Sequence, residues 1–154
     1  MIDVVARYYT EIKQTNIIDK SISHHNFNEI NTIKKKIQFV SYDNSCGIKQ
    51  ACFTYYKLFK NQYTDYDVYY NSTKNMDIFC NIAVLSLVPN LECLNIICNL
   101  KKYDILVIGV FVWELSTIYS NELLNTLHMF DKIVVPSWNN HHVLKKYNIF
   151  SEVC

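Results

Sequence analysis

Apolar and polar positions change period along this chain, and the changes mark out its elements. Val4, Val5, Tyr8, Tyr9 and Ile12 recur at helical spacing, which predicts a short amphipathic helix near the start. Ser21 to Asn28 is polar, contains His24-His25 and reads as a loop. From Ile37 onward, strand-like and helix-like runs alternate. Ile37 to Tyr42 predicts a short strand, and Lys34-Lys35-Lys36 before it reads as its solvated lip. A polar turn, Asp43 to Gly47, leads into a helix from about Ile48 to Lys60, with Ala51, Tyr55, Leu58 and Phe59 on one face. Tyr66 to Tyr70 predicts a second strand. Asp77 to Leu87 is apolar and β-branched until Pro89 breaks it, and Leu91, Leu94, Ile97 and Cys98 then fall at helical spacing.

The second half is patterned more sharply. Ile105 to Val112 is continuously apolar, as expected of a strand buried on both faces in the middle of a parallel sheet. Ser120 is placed to cap a helix carrying Leu123, Leu124, Leu127 and Phe130. Ile133-Val134-Val135 forms a further strand that Pro136 stops, and Ser137 can cap a last helix through Val143, Leu144 and Tyr147. Alternation at these lengths predicts βαβ units, so the expected fold class is α/β: a Rossmann-like parallel sheet flanked by helices. Residues 34–154 are expected to form that domain, with residues 1–33 as an accessory segment.

Composition narrows the function classes. The chain has 154 residues, enough for one core. Its 15 basic and 14 acidic residues give a net charge of +1, which leaves no global basic footprint for nucleic acid. Heavy use of Asn, Ile, Lys and Tyr follows an AT-rich coding bias, which weakens any reading of the lysine clusters. The longest apolar run is far below the ~20 residues a membrane helix needs. With no secretory signal pattern at the start, the expected location is cytoplasmic. The six cysteines form no C-x-x-C pair and are expected to be reduced. His141-His142 could suggest a metal site, but adjacent helical residues point to different faces and no acidic or cysteine partner lies at matching spacing. No metal is expected, and His128 reads as a partly buried core histidine.

Glycine is scarce enough that both positions are informative. Gly47 lies where a strand turns into a helix, so the backbone around Cys46 and Gly47 could face a phosphate. A dinucleotide fingerprint needs three glycines, and a single one is read first as a plain strand-to-helix turn. Gly109, inside the buried strand, marks close approach of a backbone, a ligand or a packed helix.

Three segments together resemble the group 1/family 4 glycosyltransferases of GT-B fold: Tyr103-Asp104-Ile105-Leu106-Val107-Ile108-Gly109, then Trp113-Glu114-Leu115-Ser116, then Phe130-Asp131-Lys132-Ile133-Val134-Val135-Pro136-Ser137. In that family a strand ends in a Trp-Glu-type segment, a helix follows, and the next strand closes on a Pro-Ser pair that starts another helix. The similarity covers residues 103 to 147. Upstream, Phe39 to Ala51 looks like the family's first strand and phosphate-facing loop, and Asp77 to Asn90 like its middle strand.

The resemblance implies the acceptor-side half of a two-domain enzyme. Trp113 and Glu114 would then contact a sugar acceptor, and Cys46 and Gly47 would face phosphate. The other reading puts Trp113 in the core and pairs Glu114 with a lysine. Neither the paired-glutamate motif of the donor-binding half nor its basic residues occur in matching context, and the loop carries Lys49 and Phe53 where members often have a second glycine and an arginine. The expectation is therefore glycosyl transfer only with a donor-domain protein partner or as part of a longer enzyme. No cofactor is expected beyond a nucleotide-sugar donor, and no catalytic residue can be named. The alternative is a non-catalytic binding module that kept the fold. A small nucleotide-binding protein of flavodoxin-like or Rossmann-like type is a third reading, against which the single-glycine loop argues.

Overall fold

The computed structural model describes residues 35–44, 47–112, 114, 116–118 and 120–154. The helix expected around Val4 to Ile12 and the loop Ser21 to Asn28 lie outside them. In chain order the elements are β1 (Lys35–Ser41), α1 (Gly47–Gln62), β2 (Tyr66–Ser72), a 3-10 turn (Thr73–Asn75), β3 (Ile82–Leu85), α2 (Leu91–Lys101), β4 (Leu106–Val110), α3 (Asn121–His128), β5 (Lys132–Val135), α4 (Trp138–Lys145) and β6 (Glu152–Val153). The six strands form one sheet in the order β2-β1-β3-β4-β5-β6, and every pair is parallel. This is a single Rossmann-like α/β domain.

Alternation along the strands divides the core in two. Val40, Ala83, Leu85, Val107, Ile133 and Val135 face α2, α3 and α4 in one apolar cluster. Ile37, Phe39, Ile82, Val84, Ile108 and Val134 form the other with Cys52 and Phe59 of α1. The predicted α1 face is right at Tyr55 and Phe59 and wrong at its other two positions. Ala51 and Leu58 are exposed, and the helix buries Cys52 and Phe59 with Tyr55 and Tyr56 half-buried between them. The winning stripe keeps the i, i+3, i+4, i+7 spacing but is aromatic: Phe59 stacks on Tyr63 at 4.6 Å between ring centres, and Phe39 meets Phe59 at 5.8 Å.

The connection from β2 to β3 is shorter than a helical crossover. Asp77 to Asn81 is loop rather than strand, and Gln38, wholly buried in β1, holds it in place. The Gln38 amide accepts from Asn71 Nδ2 and the Asp77 amide at 3.1 Å each and donates to the Asp77 carbonyl. Every polar atom of that side chain is thereby used, which is what makes its burial tolerable.

Helix ends follow the predicted chemistry. Ser120 Oγ accepts from the Leu123 amide and Ser137 Oγ from the Asn140 amide, and Asn90 caps α2 in the same way through Cys93. Where many chains would use glycine to leave a helix, this one uses Asp104 (φ 54°) after α2 and Asn148 (φ 57°) after α4. These are the residue types that tolerate the left-handed region best after glycine. Gly109 is needed for a different reason. A Cβ there would lie 2.5 Å from Phe111 Cε2 and 2.9 Å from Phe130 Cδ1, so two phenylalanine rings, in edge contact at 5.1 Å, make the close approach. His128 is exposed, and Thr126 is the buried polar residue of α3.

Candidate functional site

Open parallel sheets bind ligands at the carboxyl ends of their strands, where the strand order reverses. Here the chain runs from β1 outward to β2 and then back across to β3, so the reversal lies between β1 and β3. A cavity of about 120 Å³ opens at this point. It is walled by Ile48 and Tyr55 of α1, by Leu87, Val88 and Pro89 after β3, by Phe111 and Val112 after β4, and by Pro136 after β5.

Hydrogen bonds fix the loops around it. Tyr42 Oη accepts from the Val88 amide at 2.9 Å, tying the end of β1 to the loop after β3. Glu122 in the first turn of α3 accepts from the Leu91 amide at 2.6 Å, filling a donor that the start of α2 leaves open. Tyr147 Oη donates to the Ile118 carbonyl at 3.1 Å and lies 2.9 Å from the Ile118 amide, which it accepts. Lys146 Nζ donates to the Ser116 carbonyl at 3.3 Å. Ser116 and Ile118 are thereby tied to the turn that follows α4.

The chemistry of the crevice is apolar. Ile48, Val88, Leu91, Val112 and Trp138 are large hydrophobic side chains at or beside this edge with 39% to 67% of their surface exposed. The lysines near the start of α1 and in the turn after β2 are engaged: Lys49 Nζ donates to the Asp43 carbonyl at 2.6 Å, and Lys74 pairs with the Asp43 carboxylate at 3.2 Å. Burial pushes the Cys52 thiol, beneath the crevice, up to about 11 and raises the Tyr55 hydroxyl as well. Both stay protonated at neutral pH, so neither is an activated nucleophile. Among the described residues no group of three or more His, Cys, Asp or Glu could hold a metal, and the described cysteines are free thiols.

Of the residues singled out by sequence, Glu114 is exposed in the segment after β4. Gly47 is the first residue of α1; its φ is not positive, and nothing lies within 4 Å of where a Cβ would be. Trp113 and Cys46 lie outside the described residues. Trp138, which the sequence reading passed over, sits where β5 hands over to α4 and is 66% exposed. The signal for it was present: it follows the Pro-Ser pair that ends a strand and caps a helix, and that places a side chain at the carboxyl edge.

The larger cavity, about 520 Å³, is at the opposite end of the sheet among Asn81, Lys101, Tyr103, Asp104 and Asp131. Its charges serve the fold. Asp131 accepts from Lys101 Nζ at 2.6 Å and from the Val107 amide at 2.8 Å.

No helix among the described residues is long and apolar enough to cross a membrane. No protein-family model, no curated protein and no solved structure matches this chain.

Proposed function

We propose that this domain is the acceptor-side half of a GT-B-type glycosyltransferase, able to hold an acceptor but dependent on a separate donor-binding domain, in the same polypeptide or another. What supports the reading is the apolar crevice at the switch point of an all-parallel sheet. A domain that closes on a second domain across its carboxyl edge needs an apolar face there, and this edge carries Ile48, Val88, Leu91 and Val112 in the open. A diphosphate leaving group needs several donors aimed at it, whereas Lys49 and Lys74 are both spent on Asp43. The donor's diphosphate therefore belongs on the other half. In this reading Trp113 and Glu114 contact the acceptor, and the backbone at Cys46 and Gly47 faces the cleft.

The apolar lining and the protonated Cys52 and Tyr55 favour one second reading, a non-catalytic binding module with the same face. Calorimetry separates the two. UDP-glucose, UDP-N-acetylglucosamine and GDP-mannose are titrated into the domain alone and into its mixture with a protein encoded beside it. The transferase reading expects heat and sugar transfer in the mixture only. Association without either supports the module, and heat from the domain alone would remove the argument that the donor site lies elsewhere.

A further inference from the structure

We infer that Trp138, with His141 and His142, is a carbohydrate-stacking platform at the carboxyl edge, the subsite that holds the ring of an acceptor glycan. The inference rests on the acceptor-side reading above.

Pro136 follows β5 and walls the crevice, Ser137 caps α4, and Trp138 is the first residue of that helix, so the chain places Trp138 at the carboxyl edge. With 66% of its surface exposed, it leaves open an apolar area that folding normally covers. Two imidazole rings of the same helix lie against it. The His141 ring meets it edge-on at 5.6 Å between centres and 82° between planes, and the His142 ring lies at 6.4 Å.

His141 is held in one orientation. Its Nδ1 lies 3.0 Å from the Ser151 carbonyl oxygen and 3.1 Å from Ser151 Oγ. With Nδ1 held on Ser151, Nε2 is the ring nitrogen left to face a ligand. Ser151 directly precedes β6, which anchors the arrangement to the sheet edge. Farther along α4, a cavity of about 240 Å³ is bounded by His141, Lys145, Asn148 and Phe150, giving a second sugar residue both donors and acceptors.

These features match a pyranose. Its C–H face is apolar and flat enough for an indole, while the hydroxyls on its rim need hydrogen-bond partners such as His141 Nε2, Lys145 Nζ and Asn148 Nδ2. A nucleotide diphosphate would need a cluster of cations, and Lys145 is the one lysine lining this cavity.

The test follows the two indole Nε1–H signals by NMR, one from each tryptophan, assigned with Trp138→Phe. Maltohexaose, mannohexaose and chitohexaose are added at millimolar concentration. At least one is expected to shift the Trp138 signal and His141 Nε2. Trp138→Ala should weaken that binding roughly tenfold, with Trp138→Phe retaining part of it and the amide spectrum remaining that of a folded chain. A Trp138 signal unmoved by all three sugars overturns the inference. Sugar-induced shifts confined to Trp113 also overturn it, yet leave the acceptor-side reading standing. A platform that binds sugar while no donor partner yields transfer sinks the transferase reading alone.

Discussion

At the amino end of the sheet, charge is matched within the chain. Asp131 holds Lys101 and the Val107 amide, Lys132 pairs with Glu152, and the Asn81 side chain accepts from the Lys36 amide. At the carboxyl end Lys49 and Lys74 are engaged as well, while Val88 and Val112 wall an apolar crevice with much of their surface in the open, and Leu91 and Trp138 are exposed along the same edge. The amino end also exposes rings, Phe79, Tyr103 and Phe150, but on separate loops ahead of β3, β4 and β6, and its larger cavity is lined by Lys101, Asp104 and Asp131. The carboxyl cavity is smaller but walled by apolar side chains from several connections at once. Volume alone therefore does not mark the binding edge; a shared apolar lining does, and by that measure substitutions at the two ends should separate stability from binding.

The largest effect is expected beneath the carboxyl edge. Gly109→Ala places a methyl group 2.5 Å and 2.7 Å from ring atoms of Phe111 and 2.9 Å from Phe130, both buried. Overpacking of this kind should cost about 3 kcal/mol in urea unfolding. Phe111 also walls the crevice, so the same variant should reshape it. A loss under about 0.5 kcal/mol would mean that Phe111 moves freely, and the crevice would then not be a preformed site.

Asp131→Ala tests the amino end. It removes two charged hydrogen bonds and leaves the Val107 amide without its acceptor. Exposure of the Lys101 pair reduces that part of the loss, so about 2 kcal/mol is expected in all. Binding of a fluorescent apolar dye such as anilinonaphthalene sulfonate at the carboxyl crevice should remain as in the unaltered chain. Lost dye binding in a variant that is still folded would show that the two ends are coupled.

The fold was legible where hydrophobic period and caps agree. Leu106–Val110 lies inside the predicted apolar run, the pairing of β4 between β3 and β5 follows from its burial on both faces, and Ser120 and Ser137 cap as expected. It was less legible where packing decides. Nothing local to α1 says that Cys52 turns inward with Phe59 rather than Ala51 and Leu58, because apolar residues lie on both sides of the helix and the sheet chooses between them. The loop from Asp77 to Asn81 read as strand because its residues suit one; its path is set by Gln38, about forty positions earlier. The site was the least legible. An apolar crevice is assembled from four connections, and no one of them carries a pattern that marks it.

The smallest effect on stability should accompany the largest effect on binding. Val88 and Val112 are 43% and 67% exposed, so replacing both with serine removes little buried contact and should change unfolding by less than about 0.5 kcal/mol. Both side chains line the crevice from different connections, one after β3 and one after β4. The double variant should therefore lose dye binding and, with it, association with a donor-binding partner. Retention of both by a folded Val88→Ser/Val112→Ser protein would place the working surface elsewhere, because a face recognised through its apolar rim cannot be indifferent to two hydroxyls set into it.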